Sequence, residues 1–410
     1  MKILVVNCGS SSLKYCLFSM ENEKILARGN VERIGSDGTF IVHQAHDREK
    51  CKTLIKAPDH TTAMEIVVNY LVDEEYGVLN DIHEIAAVGH RIVHGGEKFT
   101  KATLVTDEVI KEIEKCSDLA PLHNPAHVAG IRACKKLLPD VPMVVEFDTA
   151  FHQTIPRHAF LYALPYDLYV RYGIRRYGFH GTSHRYVSQR AAEIYGKPIE
   201  NLNIITCHLG NGSSVTAIKN GKAIDTSMGL TPLEGLIMGT RSGDIDPTVV
   251  TFLMDKEGLS SHEVVQGLLN KRSGVLGISG LSHDFRDLQE AAQKGSDRAK
   301  LALEMFTYRL QKYIGAYATI MGGLDILVFT AGIGENSAEI RKNVCNGLSL
   351  LGIILDDELN NSAVGKEMKI SSPESKTVVF VIPTNEELVI ARDTKKIVEQ
   401  QLLNNNCIKP

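Results

Sequence analysis

The stretch Ile3-Leu4-Val5-Val6-Asn7-Cys8-Gly9-Ser10-Ser11-Ser12-Leu13-Lys14-Tyr15-Cys16-Leu17-Phe18 decides how the rest of the chain is read. Two apolar runs flank a short hydroxyl-rich turn, which predicts a β-hairpin. Gly9 permits a close approach that a Cβ would block, Ser10, Ser11 and Ser12 offer hydroxyls and backbone N–H groups, and Lys14 supplies a cation. Such a turn suits phosphate. It fits neither Gly-x-x-x-x-Gly-Lys-Ser/Thr nor Gly-x-Gly-x-x-Gly, because both require a helix after the turn and here a second apolar run follows. Taken alone, the stretch also fits an ordinary serine-rich hairpin.

The pattern recurs. Ile204-Ile205-Thr206-Cys207-His208-Leu209-Gly210-Asn211-Gly212-Ser213-Ser214-Val215-Thr216-Ala217-Ile218 repeats the order of strand, Gly/Asn/Ser turn and strand, and Asn220-Gly221 marks a further tight hairpin turn. Copies roughly 200 residues apart predict a duplicated domain. A third glycine turn, Phe329-Thr330-Ala331-Gly332-Ile333-Gly334-Glu335-Asn336, leaves a strand over 326–329 and precedes a helical segment through Val344.

A chain of 410 residues is long enough for two domains with sizeable cores, and 43% hydrophobic with 23% charged residues is a globular composition. The 45 basic and 49 acidic residues leave a formal charge of -4, so there is no polybasic footprint for nucleic acid or an anionic membrane. A small-molecule partner is expected instead. The eight cysteines form no Cys-x-x-Cys pair, which argues for reduced thiols in a cytoplasmic protein and against a zinc site. No apolar run reaches the roughly 18 residues of a membrane span, and the apolar start before Asn7 is too short for a signal-peptide core.

Strand and helix signals alternate along the chain. Residues 25–57 read as sheet meander, 61–72 as a helix and 85–88 as a buried strand. Asn124-Pro125 predicts a helix start with Asn124 as N-cap, and 141–147 predicts a strand ending at Asp148. We place the domain crossing near residue 150. Gly181 begins a helix to Tyr195, 203–207 is the strand of the repeat, Asp246-Pro247 opens a helix ending near Gly258, and 297–321 is the longest helical pattern. Val378 to Ile382 is a final strand. Thr384-Asn385-Glu386-Glu387 then has the Thr-x-x-Glu spacing of a capping box before a closing helix.

Eight segments together resemble the acetate kinase family: Asn7-Cys8-Gly9-Ser10-Ser11-Ser12-Leu13-Lys14, the run from His90 to Gly96, Ala120 to Pro125, Asp148 to His152, Tyr177 to His184, His208 to Ser214, Gly239 to Pro247 and Pro383 to Glu387. The resemblance spans nearly the whole chain. It implies two duplicated actin-like (ribonuclease H-like) α/β domains with an interdomain active-site cleft: residues 1–150 completed by a C-terminal helix over 385–410, and residues 151–384, which bind nucleotide. It further implies a homodimer, ATP/ADP as co-substrate, Mg²⁺ or Mn²⁺ as metal, and reversible transfer of the γ-phosphate of ATP to acetate, giving acetyl phosphate. Propionate kinase is the alternative with the same chemistry; an ATP-switched binding protein of the actin or heat-shock type is the alternative from another class.

The residue types suit this chemistry. Acetate is already ionised at pH 7, as any carboxylate of ordinary pKa would be, so the nucleophile needs no general base. The enzyme instead needs cations to bring a carboxylate to a phosphate and to hold charge on the equatorial oxygens, each such donor being worth about 3 kcal/mol of barrier. Arg91 and Arg241, in glycine-rich loops, fit that role, against the alternative of an ordinary salt bridge. His180, at a helix entrance, is the expected donor to the transferring group, while His90, His94, His123 and His184 are expected to be structural. Asp148, at a strand end, is assigned to orienting the metal through water. Asn7 and Glu386 are the expected metal-side ligands; Glu386 is preferred to Glu387 because the capping box would occupy the latter.

By resemblance, phosphate contacts fall to Ser10, Ser12, Lys14, His208, Leu209, Gly210, Asn211 and Gly212. The nucleoside is expected at Asp284, Phe285 and Arg286 and at Gly332, Ile333, Gly334, Glu335 and Asn336. Arg91, Val93, Leu122, Phe179 and Pro232 are expected around the acyl group. Such a wall separates acetate from propionate weakly, since one methylene is worth about 1 to 3 kcal/mol.

Overall fold

The structure, a computed structural model, describes residues 1–46, 48–121 and 123–407. The chain divides into two compact units, one comprising Met1–Ala150 with the segment from Asn385 onward, the other Phe151–Thr384. No helix among the described residues is long and apolar enough to cross a membrane.

The first unit is built on an eight-stranded sheet in the order β5-β4-β3-β2-β1-β6-β8-β7, where β1 is Lys2–Cys8, β2 Ser12–Ser19, β3 Lys24–Glu32, β4 Phe40–Ala45, β5 Cys51–Leu54, β6 Ile85–Ile92, β7 Thr103–Leu104 and β8 Met143–Phe147. Strands β1 to β5 form an antiparallel meander, whereas β6 and β8 lie parallel to β1. Alternation of side chains gives the sheet two apolar faces. Leu4, Val6, Leu13, Tyr15 and Leu17 share one core with Met64 and Val67 of the helix His60–Val72 and Ala133 and Cys134 of the helix Asn124–Leu137. Ile3, Val5, Cys16, Phe18, Ala87 and Val144 pack on the other side against Leu388, Ile390 and Ala391 of the closing helix Glu386–Cys407. Each such fully buried Leu, Ile or Phe contributes roughly 1.5 to 3 kcal/mol. The helix crosses β6 at Gly89, where a Cβ would meet Ile390 Cγ2 and Thr394 Oγ1 at 2.6 Å. Only glycine lets the backbones approach so closely.

In the second unit a six-stranded sheet runs β11-β10-β9-β12-β14-β13, with β9 Asn203–Leu209, β10 Ser213–Lys219, β11 Lys222–Thr226, β12 Ile326–Thr330, β13 Met368–Lys369 and β14 Val378–Val381. The order is that of the first unit without β4 and β5: an antiparallel trio, two parallel strands and a short antiparallel edge strand. The long helix Asp297–Met321 covers one face through Phe306, Leu310, Ile314 and Tyr317, and the helix Gly181–Tyr195 covers the other through Val187 and Ala191. The repeated topology is the duplicated α/β fold expected from the paired hairpins.

Some helix ends differ from the expectation. Asn124 is not an N-cap: it is the first helical residue, and its buried amide donates to His94 O at 2.9 Å and Ile113 O at 3.1 Å and accepts from His94 N at 3.3 Å. Thr384 forms no capping box, because its hydroxyl donates to Ser183 Oγ at 2.8 Å and Asn385 caps the closing helix by accepting from Leu388 N at 3.1 Å. In both places a tertiary partner outcompetes the local cap. The third glycine turn is itself helical, Ala331–Asn336, and a second helix, Ala338–Asn346, follows directly.

Candidate active site

In the first unit the parallel strands carry polar residues out of their C-terminal ends, on the face covered by the closing helix. Asn7 follows Ile3 and Val5 on β1 and is paired across the hairpin with Lys14. The turn between them closes with Gly9 N donating to Ser12 O at 2.8 Å, leaving Ser10 and Lys14 exposed and Ser12 half-buried. Arg91 follows Ala87 and Gly89 on β6, and Asp148 lies just beyond β8 with its N–H on Ile92 O at 2.9 Å.

Arg91 grips Asp148 with both ends of its fork, Nε to Oδ1 at 2.9 Å and Nη2 to Oδ2 at 2.6 Å, and its Nε lies 3.7 Å from Glu386 Oε2. Burial works against the charge of Arg91, but Asp148, Glu386 and Glu387 more than offset it and raise its pKa. Glu386 is pushed up to about 7, chiefly by burial, with Asp148 and Glu387 adding to the shift and Arg91 and Lys14 opposing it. Asn7, Lys14, Arg91, Asp148 and Glu386 therefore meet in one place. Asn385, as the true cap, removes the reason given for preferring Glu386 to Glu387, and proximity to Arg91 supplies another. Val93 is buried nearby in sequence at the end of β6, and Leu122 lies outside the described residues.

The second unit gathers histidines instead. His180 stands before the helix Gly181–Tyr195 in the left-handed region, φ 59°, a strained conformation for a non-glycine residue. Its ring stacks on His208 with centroids 4.1 Å apart, and its Nδ1 lies 2.9 Å from Ser214 Oγ. His208 Nδ1 is 2.8 Å from Ser183 Oγ. A Cβ built on Gly212 would sit 3.6 Å from His180 Nε2 and 3.3 Å from Arg241 Nη1, so both donors converge on the glycine turn His208-Leu209-Gly210-Asn211-Gly212. That turn is locked by Gly210 N on Gly212 O at 3.1 Å and by Gly239 N on Asn211 O at 3.1 Å. Arg241 donates to Pro232 O at 3.1 Å, and burial lowers its pKa, with no carboxylate among the described residues acting on it. Phe179 is buried.

The proposed nucleoside residues divide. Asp284 caps the helix Phe285–Gln293 and spends both oxygens on Arg286, Nε at 3.1 Å and Nη2 at 2.6 Å, which with the Arg286 backbone N–H lowers its pKa to about 2. Phe285 faces the core, edge to face with Phe306 at 4.7 Å. Gly332, Ile333, Gly334, Glu335 and Asn336 lie in the short helix after β12, where Glu335 Oε1 accepts from Thr384 N at 3.1 Å.

Several residues around these groups carry no local sequence signal. Glu146 is buried and sits in register with Arg91 across β6 and β8. Arg341 is fully buried; it donates to Gly334 O at 2.9 Å, Glu335 O at 3.0 Å and Asn360, pinning the short helix from beneath. Arg176 donates to the carbonyls of Thr226, Ser227 and Met228 and to Glu234, so it braces the loop that carries Pro232 and Arg241. Both arginines act through distant backbone, which spacing along one chain does not reveal.

Comparison with known proteins gives the family. The model of the acetokinase family matches residues 2–392. A curated relative named acetate kinase, from Halothermothrix orenii, is 60% identical over 97% of this chain and 100% of its own length. Among solved structures, the acetate kinase of Porphyromonas gingivalis is 53% identical with a TM-score of 0.94, covering 97% of this chain and 99% of that one. A propionate kinase from Francisella tularensis is 44% identical with a TM-score of 0.90, covering 96% and 99%. With the duplicated sheets, the paired turns and a match over almost its full length, the chain belongs to the acetokinase family.

Proposed function

We propose that the chain is an acetate kinase that moves the γ-phosphoryl group of ATP to acetate by direct in-line transfer, reversibly. The observation that carries this reading is the meeting of His180 Nε2 and Arg241 Nη1 over the glycine turn at Gly212. Arg241 is a desolvated guanidinium on which no carboxylate among the described residues acts, and such a group lowers its free energy by taking an anion. A phosphoryl group whose charge spreads over equatorial oxygens is that anion, and preorganised donors around it account for most of the acceleration.

Arg91 then holds the acetate carboxylate, fixed in place by Asp148 and Glu386. No step needs a base, because the attacking oxygen is already ionised. Val93, Phe179 and Pro232 are the described residues assigned to the methyl group. Ser10, Ser12 and Lys14, with the turn at His208 to Gly212, hold phosphates, and the Ala331–Asn336 segment takes the nucleoside. Asp284 and Arg286, already paired with each other, serve it at most from the rim.

The donor set fits magnesium. Among the described residues no group of three or more His, Cys, Asp or Glu could hold a metal ion as a cage. Glu386, Asn7 and Asp148 are oxygen donors that suit a hard, largely hydrated cation completed by nucleotide phosphates. When bound, such a cation neutralises phosphate charge. Around it, Arg91 keeps Asp148 oriented and Glu386 offers the less committed carboxylate. We further propose a cytoplasmic homodimer with small-molecule partners only.

Hydroxylamine trapping tests the activity. ATP with acetate should give acetyl hydroxamate, and ATP hydrolysis without hydroxamate would overturn the reading. Propionate kinase stays as the second reading because of the 44% identical relative of that name. Faster turnover of propionate than acetate at matched low concentrations would select it.

A further inference from the structure

Ser214 sits between two histidines. Its hydroxyl oxygen is 2.9 Å from His180 Nδ1 and 2.7 Å from His184 Nε2, and His184 Nδ1 is in turn 2.7 Å from Thr206 Oγ1. Ser214, His184 and Thr206 are fully buried, on β10, the helix Gly181–Tyr195 and β9. We propose that Ser214, backed by His184 and Thr206, is a positioning residue that fixes which ring nitrogen of His180 carries the proton. The inference rests on the phosphotransfer reading of His180 given above.

The reasoning is one of proton count. A serine hydroxyl has one proton to give, and a neutral imidazole has one N–H. With Ser214 donating to one ring and accepting from the other, the row Thr206, His184, Ser214, His180 can be directed in two ways. In the first, Thr206 donates to His184 Nδ1, His184 Nε2–H donates to Ser214, and Ser214 donates to His180 Nδ1. His180 then carries its proton on Nε2, the atom that faces Gly212 beside Arg241. In the second, every bond is reversed and Nε2 presents a lone pair, which repels a phosphoryl oxygen. An anion at the turn selects the first direction.

His184 is suited to the middle of the row. Burial, with His152 and His208 adding to it, keeps it well below the usual histidine range, so it remains neutral and relays direction without taking up charge. Among the described residues, titratable or charged groups facing His180 include His208, stacked on it, His184 behind Ser214, and Arg241 across the turn.

The test uses the full-length protein with ¹⁵N-labelled histidine, bound to ADP, magnesium, acetate and nitrate as a planar anion. Two-bond ¹H–¹⁵N spectra, with His180→Gln for assignment, should show His180 protonated on Nε2 and bare on Nδ1. Ser214→Ala should mix the tautomers and lower kcat about tenfold, as expected for one hydrogen bond to a group in a charged site, with KM for ATP held within about twofold. Thr206→Val, which leaves His180 and Ser214 untouched, should shift the His184 tautomer and lower kcat by a smaller factor, about threefold. An Nδ1–H form of His180 in the unmutated complex overturns the proposal without touching the phosphotransfer reading, and it is readable even if the variants do not fold. An unchanged His180 tautomer in Ser214→Ala overturns it as well.

Discussion

The two hairpins share a backbone and differ in what they hold. In the first unit Asn7 faces Lys14 across the strands, and in the second His208 faces Ser214 at the corresponding place. Near the first, the arginine is bound to a carboxylate and flanked by another; near the second, Arg241 is desolvated and, among the described residues, hydrogen-bonds a carbonyl and a sulfur. One half is therefore charge-balanced and fit to orient a substrate and a hydrated cation. The other is an unpaid positive site fit for an anion. Duplication conserved the path of the chain while side chains at equivalent positions took opposite electrostatic roles.

The sharpest way to break this contrast is to remove each arginine. Both Arg91→Ala and Arg241→Ala should cut kcat by about a hundredfold to a thousandfold, the typical cost of one charge-stabilising donor. Stability should separate them. Arg91→Ala leaves Asp148 and Glu386 buried without their cation and should lower unfolding free energy by about 3 to 5 kcal/mol, whereas Arg241→Ala removes a desolvated charge and should leave stability level or raised. Equal losses in a urea titration would erase the distinction.

Glu386 offers the next test. Folded Glu386 holds its proton up to about pH 7, against 4.5 for the ordinary side chain. Between those values the folded state binds more protons than the unfolded, so this group's contribution becomes less favourable as pH rises through the window. Glu386→Gln should consequently stabilise the metal-free protein at pH 8 relative to pH 4, by something on the order of 3 kcal/mol. A denaturation midpoint shift independent of pH would contradict the buried-carboxylate account.

Smaller effects probe the supports. Arg341→Met should loosen the Ala331–Asn336 helix and raise KM for ATP about tenfold with kcat little changed, the worth of a hydrogen bond or two from a charged group. A fall in kcat with constant KM would place Arg341 elsewhere in the reaction. Asn385→Ala should cost about 1 kcal/mol as a lost cap, and Thr384→Ala should not behave as a cap at all; the reverse order would restore the capping box.

Much of this was legible in the sequence because the signals are local. Apolar alternation around Gly9 and Gly212, the glycine stops after Tyr195, Glu257 and Met321, and the run of polar residues after each parallel strand all follow from short-range chemistry. What escaped depends on competition over distance. Asn124 and Thr384 have the composition of caps, but His94, Ile113 and Ser183 claim their side chains. Phe285 stands in a polar stretch and still turns inward to Phe306. Arg341 and Ser214 act through carbonyls and rings that no spacing along the chain brings to mind.

The close crossing at Gly89 has a bearing on how the chain comes to be folded. The first unit borrows its last layer from the other end of the polypeptide, so Ile3, Val5, Phe18, Ala87 and Val144 remain without their cover until the segment containing Leu388 and Ile390 has been made. Synthesis proceeds from the N-terminus, and contacts of such sequence separation form late. The unit translated first is thus completed last. Its half-finished sheet is the surface a nascent-chain chaperone would meet, while Phe151–Thr384 is one continuous segment whose strands and helices have all been made once Thr384 is reached.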